Sequence, residues 1–340
     1  MSINLKALSA QLGLSPTTVS RALSGYTDVS PATRERVQQA ARELGYQPNR
    51  AARQVALGRA DAVGIVYPPA SEFLGNPSFR ETLEGLAHVL EQSECDLLLA
   101  AAPRQNELRV YDRMVRGRRV DALIVAHTLR EDPRISYLQQ AGFPFVAYGR
   151  TEHPDGFPWL DFDNEVGSRT AVQRLVALGH RRIAYVHVPL SYNFAHQRHV
   201  GFLAALAEAG IAADPTLVIG GSMDRRAGYA AALQLLAQPK RPTAVIVDNN
   251  LGGVGLIRAL LDHSVAVGRE MSVIVNEGVP EDTLFAGLTV AAVRQPTPYR
   301  SGQTLAEMAI ALAERKPLEQ MQVLRQPEFV PGNSIGAPPP

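Results

Sequence analysis

Apolar residues near the start of the chain recur at the spacing of one helix face, and polar start and stop signals bound them. The repeat consists of Leu5, Leu8 and Leu12. Asn4 is a suitable N-cap for this helix, and Gly13 ends it. Ser15 and Pro16 then start a second helix, because the serine oxygen caps the first turn and proline has no N–H to leave unpaired. The pattern predicts two short helices joined by a tight turn.

The second helix divides into an apolar face and a polar face. The inward face contains Val19, Ala22 and Leu23, and the outward face contains Thr17, Ser20, Arg21 and Ser24. Hydroxyl, methyl and guanidinium groups on the outside of a helix are suited to contacting base edges in the major groove of DNA. A third helix starts at Ser30 and Pro31 and ends at Gly45. The alternative for this stretch is a small helical hairpin with a polar outer face.

From Ala62 onward, short apolar strands alternate with amphipathic helices, which is typical of parallel sheets covered by helices on both faces. A first series of strands occupies residues 62–68, 95–102, 122–128 and 143–149, and a second occupies residues 182–189, 217–222, 243–250 and 271–278. An apolar segment at 288–296, a helix at 304–315 and one last strand at 323–330 follow. The 340 residues therefore predict a small helical head and a body of two α/β lobes.

Charge separates the head from the body. Residues 1–60 contain eight basic and three acidic residues, a net charge of +5, whereas the whole chain is +1. This balance indicates that the head, and not the body, binds a phosphate backbone. The single cysteine, Cys95, excludes an internal disulfide. Because we find neither an export signal nor a long apolar stretch, we expect a cytoplasmic protein that does not span a membrane.

Three stretches carry a resemblance to a known family. They are LSPTTVSRALSG (14–25), DVSPATRERVQQAARELGYQPNRAAR (28–53) and DFDNEVGSRTAVQRLVALGHRRIAYV (161–186). Over nearly the whole chain, the sequence resembles the lactose-repressor (LacI/GalR) family of bacterial transcription factors. The resemblance implies a helix-turn-helix headpiece at 1–47, a hinge helix or linker at 48–60, and a periplasmic-binding-protein-like domain for effector binding and dimerisation at 61–340. The first lobe of this domain would contain about 61–160 and 290–330, and the second about 162–288.

The resemblance also implies a homodimer that binds a palindromic double-stranded operator and represses genes of carbohydrate uptake or catabolism. The residues expected at the DNA are Asn4, Ser15, Pro16, Thr17, Thr18, Ser20, Arg21, Ser24, Asn49, Arg50, Arg53 and Val55. Where this chain has Val55, the family usually has a leucine that wedges into the minor groove of the DNA. Because valine is shorter, we expect the kink in the DNA to be shallower or to cost more free energy. Prolines and glycines at 327–340 cannot form the heptad helix of the family's tetramers, so we expect a dimer.

The carboxyl ends of the predicted strands define a candidate effector site, because small molecules bind there in open α/β sheets. The side chains at or near these ends are Phe73, His127, Tyr148, Arg150, Trp159, Asp161, Arg198, Asn249, Asn250 and Glu277. Aromatic rings beside carboxylates, amides and arginines suit a small sugar. The resemblance implies that Arg198 clamps the effector, and we expect Arg198→Ala to leave the fold intact. Asn250 stands where the family usually has an aspartate after an asparagine, and Glu277 with Gly278 stands where the family commonly has a pair of aspartates.

We find no catalytic motif in the sequence. GxSxG, HExxH and paired-cysteine motifs are absent, and the glycines at 252–255 lack the GxGxxG order. We therefore predict a protein that is not an enzyme and uses no cofactor or metal. Three alternatives stay open: lobes that act only as a dimerisation frame, a periplasmic-type sugar-binding transport protein, and a regulator that responds to a phosphorylated sugar or a protein co-effector.

Overall fold

The computed structural model describes residues 3–23, 26–46, 59–68, 75–318 and 320–340. The chain divides into two compact units, Met1–Ala60 and Asp61–Pro340. In the described ranges, no helix is both long and apolar enough to cross a membrane.

Among its described residues, the first unit contains three helices: α1 (Leu5–Leu12), α2 (Pro16–Leu23) and α3 (Pro31–Glu43). The predicted boundary signals act as expected. The Asn4 side chain accepts a hydrogen bond from the Ala7 amide at 2.9 Å, and Ser15 Oγ accepts one from the Thr18 amide at 3.0 Å. Gly13 ends α1 in the left-handed conformation, with φ of 65°. The fully buried side chains of this unit are Leu8, Val19, Ala22 and Val37. The predicted three-helix head is confirmed.

The second unit contains twelve strands among the described residues. In chain order they are β1 (Ala62–Tyr67), β2 (Asp96–Ala101), β3 (Ala122–Ala126), β4 (Phe145–Tyr148), β5 (Trp159–Phe162), β6 (Ile183–His187), β7 (Val218–Gly220), β8 (Ala244–Val247), β9 (Ser272–Asn276), β10 (Ala291–Arg294), β11 (Gln322–Arg325) and β12 (Glu328–Val330). The helices are α4 (Pro77–Gln92), α5 (Glu107–Arg116), α6 (Pro133–Gln140), α7 (Asn164–Ala177), α8 (Asn193–Glu208), α9 (Arg225–Leu236), α10 (Asn250–Asp262) and α11 (Pro298–Ala313).

These strands form two six-stranded sheets, one in each lobe. The first sheet has the order β11-β5-β4-β3-β1-β2, and the second has the order β12-β10-β9-β8-β6-β7. Every pairing is parallel except the antiparallel pair of β10 and β12. Central strands such as β3 and β8 are almost fully buried because helices cover both faces of each sheet. The predicted two-lobed α/β body is confirmed.

The chain crosses between the lobes three times. It passes from β5 into α7 at residues 162–164, from β10 into α11 at 294–298, and from β11 into β12 at 325–328. The expectation that 290–330 lies wholly in the first lobe is therefore wrong, since β10 and β12 belong to the second sheet. The apolar run at 323–330 is also two strands and not one. Pro327 has no N–H for a sheet ladder, and it stands where the chain changes sheets.

Candidate effector site and DNA-binding surface

A cavity of about 280 Å³ lies between the two lobes at the carboxyl ends of their strands. This size is close to the lower end of the range for small-molecule sites. Six of the ten predicted effector residues line it: His127, Tyr148, Asp161, Arg198, Asn250 and Glu277. Both lobes and two of the crossings contribute to the wall, because Asn164 and the segment from Arg294 to Pro298 also line the cavity.

Arg198 is at the centre of the polar wall. Its side chain is only 5% exposed, and it donates to Asn164 Oδ1 at 3.0 Å, to the Asp248 carbonyl at 2.6 Å and to Glu277 Oε1 at 3.3 Å. These three bonds use three of the five N–H donors of a guanidinium group. The Phe194 ring lies 5.0 Å from the guanidinium carbon. The arrangement fixes the plane of Arg198 and leaves donor capacity for a ligand.

Two carboxylates flank this arginine in the cavity wall. Asp161 accepts hydrogen bonds from the amides of Phe162 at 2.8 Å and Arg150 at 3.2 Å. Burial raises the pKa of Asp161 and of Glu277, and the nearby arginines oppose the rise. Burial alone would lower the pKa of Arg198, but Asp248 and Glu277 raise it, so the guanidinium group stays charged. The site therefore offers both donors and acceptors to a polyhydroxylated ligand.

Two further predicted residues present neutral polar groups to the cavity. Burial raises the pKa of Tyr148 to about 12, and burial together with Arg134 and Arg104 lowers the pKa of His127 to about 4. Both side chains are thus uncharged at neutral pH. The His127 ring lies edge-on to Phe194, with 6.4 Å between ring centroids. It sits on a left-handed residue with φ of 52°, a conformation that non-glycine residues rarely adopt outside special positions.

Three predicted residues lie behind the cavity wall instead of lining it. Trp159 is 6% exposed, and its indole N–H donates to the Pro154 carbonyl at 3.2 Å. Arg150 stands beside Trp159 and pairs with Asp161 at 3.4 Å. Asn249 caps α10, accepting from the Gly252 amide at 2.6 Å. These side chains support the site from outside, so their prediction as direct ligands is not supported. Phe73 lies outside the described residues.

The cavity also contains residues that the sequence analysis did not select. They include Asn76, Ser78, Phe79, Glu81, Asn164 and Phe194. Asn76 and Pro77 form a cap-then-proline signal like those of the head, which would have placed the start of α4. The prediction for this strand end was Phe73, whereas the described residues that line the cavity here begin at Asn76, the N-cap of α4.

The outer face of α2 is the candidate DNA-binding surface of the first unit. Thr17, Ser20 and Arg21 are exposed, and Thr18 is half-buried beside Ser15. Arg21 pairs with Asp28 at 2.8 Å and lies over the Tyr26 ring at 5.2 Å. Asn4 and Ser15 are engaged as helix caps, and Pro16 is the first residue of α2. Five predicted DNA residues lie outside the described ranges: Ser24, Asn49, Arg50, Arg53 and Val55.

Comparison with known proteins agrees with this architecture. Residues 7–49 match the model for bacterial regulatory proteins of the lacI family, and residues 60–329 match periplasmic binding proteins and the sugar binding domain of the LacI family. The chain is 41% identical over 339 residues to the HTH-type transcriptional regulator RafR of Escherichia coli, covering 99% of each chain.

Solved structures show the same likeness. A putative transcriptional regulator from Yersinia pestis biovar Microtus str. 91001 has 36% identity and a TM-score of 0.75, with 83% of this chain and 100% of that chain covered. The transcriptional regulator CelR in complex with cellobiose has 28% identity and a TM-score of 0.73, with 98% and 99% covered.

A DNA-binding headpiece and a two-lobed body in the same chain define a transcriptional regulator with a ligand-binding domain. This chain belongs to the LacI family of bacterial regulatory proteins. The match of residues 7–49 separates it from transport proteins that share the architecture of the body alone. Its function is regulatory and not enzymatic.

Proposed function

We propose that this regulator is a repressor that binds a palindromic operator as a homodimer and changes its DNA affinity when a small neutral sugar binds between the lobes. The observation that carries the effector assignment is the hydrogen-bonded group of Asp161, Asn164, Arg198 and Glu277 in one cavity wall. Fixed donors and acceptors beside the aromatic rings of Phe79 and Phe194 match the hydroxyls and the apolar ring faces of a sugar.

The charge of the cavity favours a neutral sugar over a phosphorylated one. The charged side chains in its wall are four carboxylates and two guanidinium groups, those of Glu81, Asp161, Glu277, Glu281, Arg198 and Arg294. A phosphate group would meet a net negative wall and no cluster of lysines. The related regulator CelR was solved with cellobiose, which supports a carbohydrate for this chain too.

An exposed sheet edge supports the homodimer. Strand β2 is the outer strand of the first sheet, and Leu99 on it is 41% exposed. Apolar side chains exposed on an edge strand favour burial against another surface. A second copy of the chain would cover this edge and would also pair two α2 helices with the half-sites of a palindrome.

We expect Arg21→Ala to weaken operator binding by about 1 to 3 kcal/mol and to blunt discrimination at one base pair. The lost contact is a base contact, and the broken pair with Asp28 is exposed and contributes little. Fluorescence anisotropy with operator and random duplexes at one salt concentration measures both affinities. The control is Arg42→Ala, at an exposed arginine of α3, which should leave the ratio of operator affinity to random-duplex affinity unchanged. An unchanged ratio for Arg21→Ala would show that α2 is not the recognition helix.

A calorimetric titration of the full-length protein tests the effector assignment. The probes are cellobiose, other neutral mono- and disaccharides, and glucose 6-phosphate as the charged counterpart. We expect at least one neutral sugar to bind and the phosphate to bind more weakly or not at all. Binding of the sugar phosphate alone would refute the neutral-sugar assignment while leaving the family assignment intact.

A further inference from the structure

Asn250 has no hydrogen-bonding capacity left for a ligand, although it lines the cavity. Its side-chain N–H₂ donates to Asn76 Oδ1 at 3.0 Å and to Ser78 Oγ at 3.1 Å. Its side-chain oxygen accepts from the Leu251 amide at 2.7 Å and faces the Asn76 amide at 3.5 Å. An asparagine side chain has two donors and one carbonyl oxygen, and both donors are used within the protein.

These contacts join the two lobes. Asn76 and Ser78 are at the start of α4 in the first lobe, and Asn250 is the first residue of α10 in the second. Asn250 lies shortly after β8, two strands from β10. With strands about 4.8 Å apart, the contacts lie on the order of 10 Å from the crossing that follows β10. At that distance they resist rotation of one lobe against the other.

A second polar attachment between the lobes is built differently. The amide of Asn193 donates to the Thr128 carbonyl at 3.0 Å, and the amide of Arg130 donates to the Ser191 carbonyl at 3.2 Å. These backbone bonds are accompanied by side-chain bonds from Asn193 to the Arg150 carbonyl at 2.9 Å and from Arg104 to the Tyr192 hydroxyl, whereas the attachment at Asn250 consists of side chains alone. Side-chain bonds can break and re-form by rotamer changes, without disturbing the backbone on either side.

We propose that Asn76, Ser78 and Asn250 form a clasp that holds the lobes closed over the cavity and must open for the effector to enter. Asn250 is then a positioning residue, and the directly binding polar groups are those around Arg198. This proposal rests on the proposed function only where it calls the ligand of the cavity an effector. The hydrogen bonds between the lobes are present whatever that ligand is.

The distance between the lobes can be measured by double electron–electron resonance on the full-length, ligand-free protein. Spin labels at exposed Glu84 on α4 and Arg258 on α10, in a Cys95→Ser background, report the separation at the clasp. Dilution of labelled with unlabelled protein removes distances between subunits. The variants are Asn76→Ser with Ser78→Ala on the first lobe, Asn250→Ala on the second, and all three changes together. Serine at 76 still caps α4 but is too short to reach Asn250.

We expect the ratio of open to closed lobes to rise about tenfold in each clasp variant, because about two hydrogen bonds are lost. Combining all three changes should add little, since either side alone removes the same contact. Asn333→Ala, at an asparagine of the second unit bonded to Gly287 and Thr289, is the control and should leave the distances unchanged. Unchanged distances in the clasp variants, or additive effects of the two sides, would overturn the proposal. Because no ligand is present, failure of the sugar assignment would not affect this result.

Discussion

Arg198→Ala is expected to lower the free energy of unfolding of the body by about 3 to 5 kcal/mol and to abolish effector binding. Asp248 is fully buried, and Arg198 lies 3.7 Å from its carboxylate and 3.3 Å from that of Glu277. Removal of the guanidinium group leaves both carboxylates without their cation, and burial then penalises their charged forms. The expectation from the sequence that this variant keeps an intact fold is therefore revised.

Urea unfolding followed by tryptophan fluorescence measures this loss. Trp159 is the single tryptophan of the chain and lies in the body, so the signal is independent of the headpiece. Arg225→Ala, at an exposed arginine of the same lobe, is the matched control and should change the stability by less than about 0.5 kcal/mol. If Arg198→Ala were as stable as the control, the buried charge cluster would not stabilise the body.

His127 is expected to make the body less stable in mild acid. Because its folded-state pKa is lowered from 6.5 to about 4, its neutral form contributes fully above pH 6.5. That contribution falls as the pH drops from about 6.5 to about 4, where the unfolded chain binds a proton that the folded chain does not. A shift of this size corresponds to about 3 kcal/mol.

Comparison of variants isolates this histidine from the other titrating groups. His127→Asn removes the titration and keeps a residue type that tolerates a left-handed backbone. The free energy of unfolding should then fall less between pH 6.5 and 4 than in the wild type. Its slope against pH should be smaller by an amount equivalent to about one bound proton. His153→Asn, at an exposed histidine of the same lobe, should retain the wild-type slope. If the free energy of unfolding depended on pH in the same way in the wild type and in His127→Asn, the lowered pKa of His127 would be contradicted.

Much of the helix and strand order was predictable, because local chemistry and final structure agree at the helix starts. Ser15 with Pro16 and Ser30 with Pro31 start helices where the cap-then-proline signal predicts. The helix α6 (Pro133–Gln140) has no clear apolar stripe, because the stretch PRISYLQQ has only a few apolar residues and a weak periodicity. Its start is nevertheless marked by Asp132 before Pro133, and the Asp132 carboxylate accepts from the Arg134 amide at 3.0 Å.

Predicted residues at the ends of strands line the cavity, whereas the lining residues that lie further along the chain from a strand were not selected from the sequence. Asp161 lies near the end of β5 and Glu277 directly follows β9, so their position in the cavity follows from sheet geometry. Asn249 and Asn250 are neighbours after β8, yet one caps a helix and the other bonds across the cleft. Sequence cannot separate these roles, because they depend on Asn76, which is 174 residues away from Asn250. The same limit applies to the lobe assignment of β10 and β12, which is decided by pairing between distant strands.

Titration of one ligand in the presence of the other tests the central claim, that a sugar in the body controls DNA binding by the head. Operator affinity is measured by fluorescence anisotropy at increasing concentrations of the sugar found by calorimetry, and sugar affinity is measured with and without saturating operator. Thermodynamic linkage requires that each ligand change the affinity for the other by the same factor, and about 5- to 150-fold is typical. We expect the sugar to change operator affinity and the operator to change sugar affinity by the same factor. A sugar that binds the body tightly and leaves operator affinity unchanged would contradict the account.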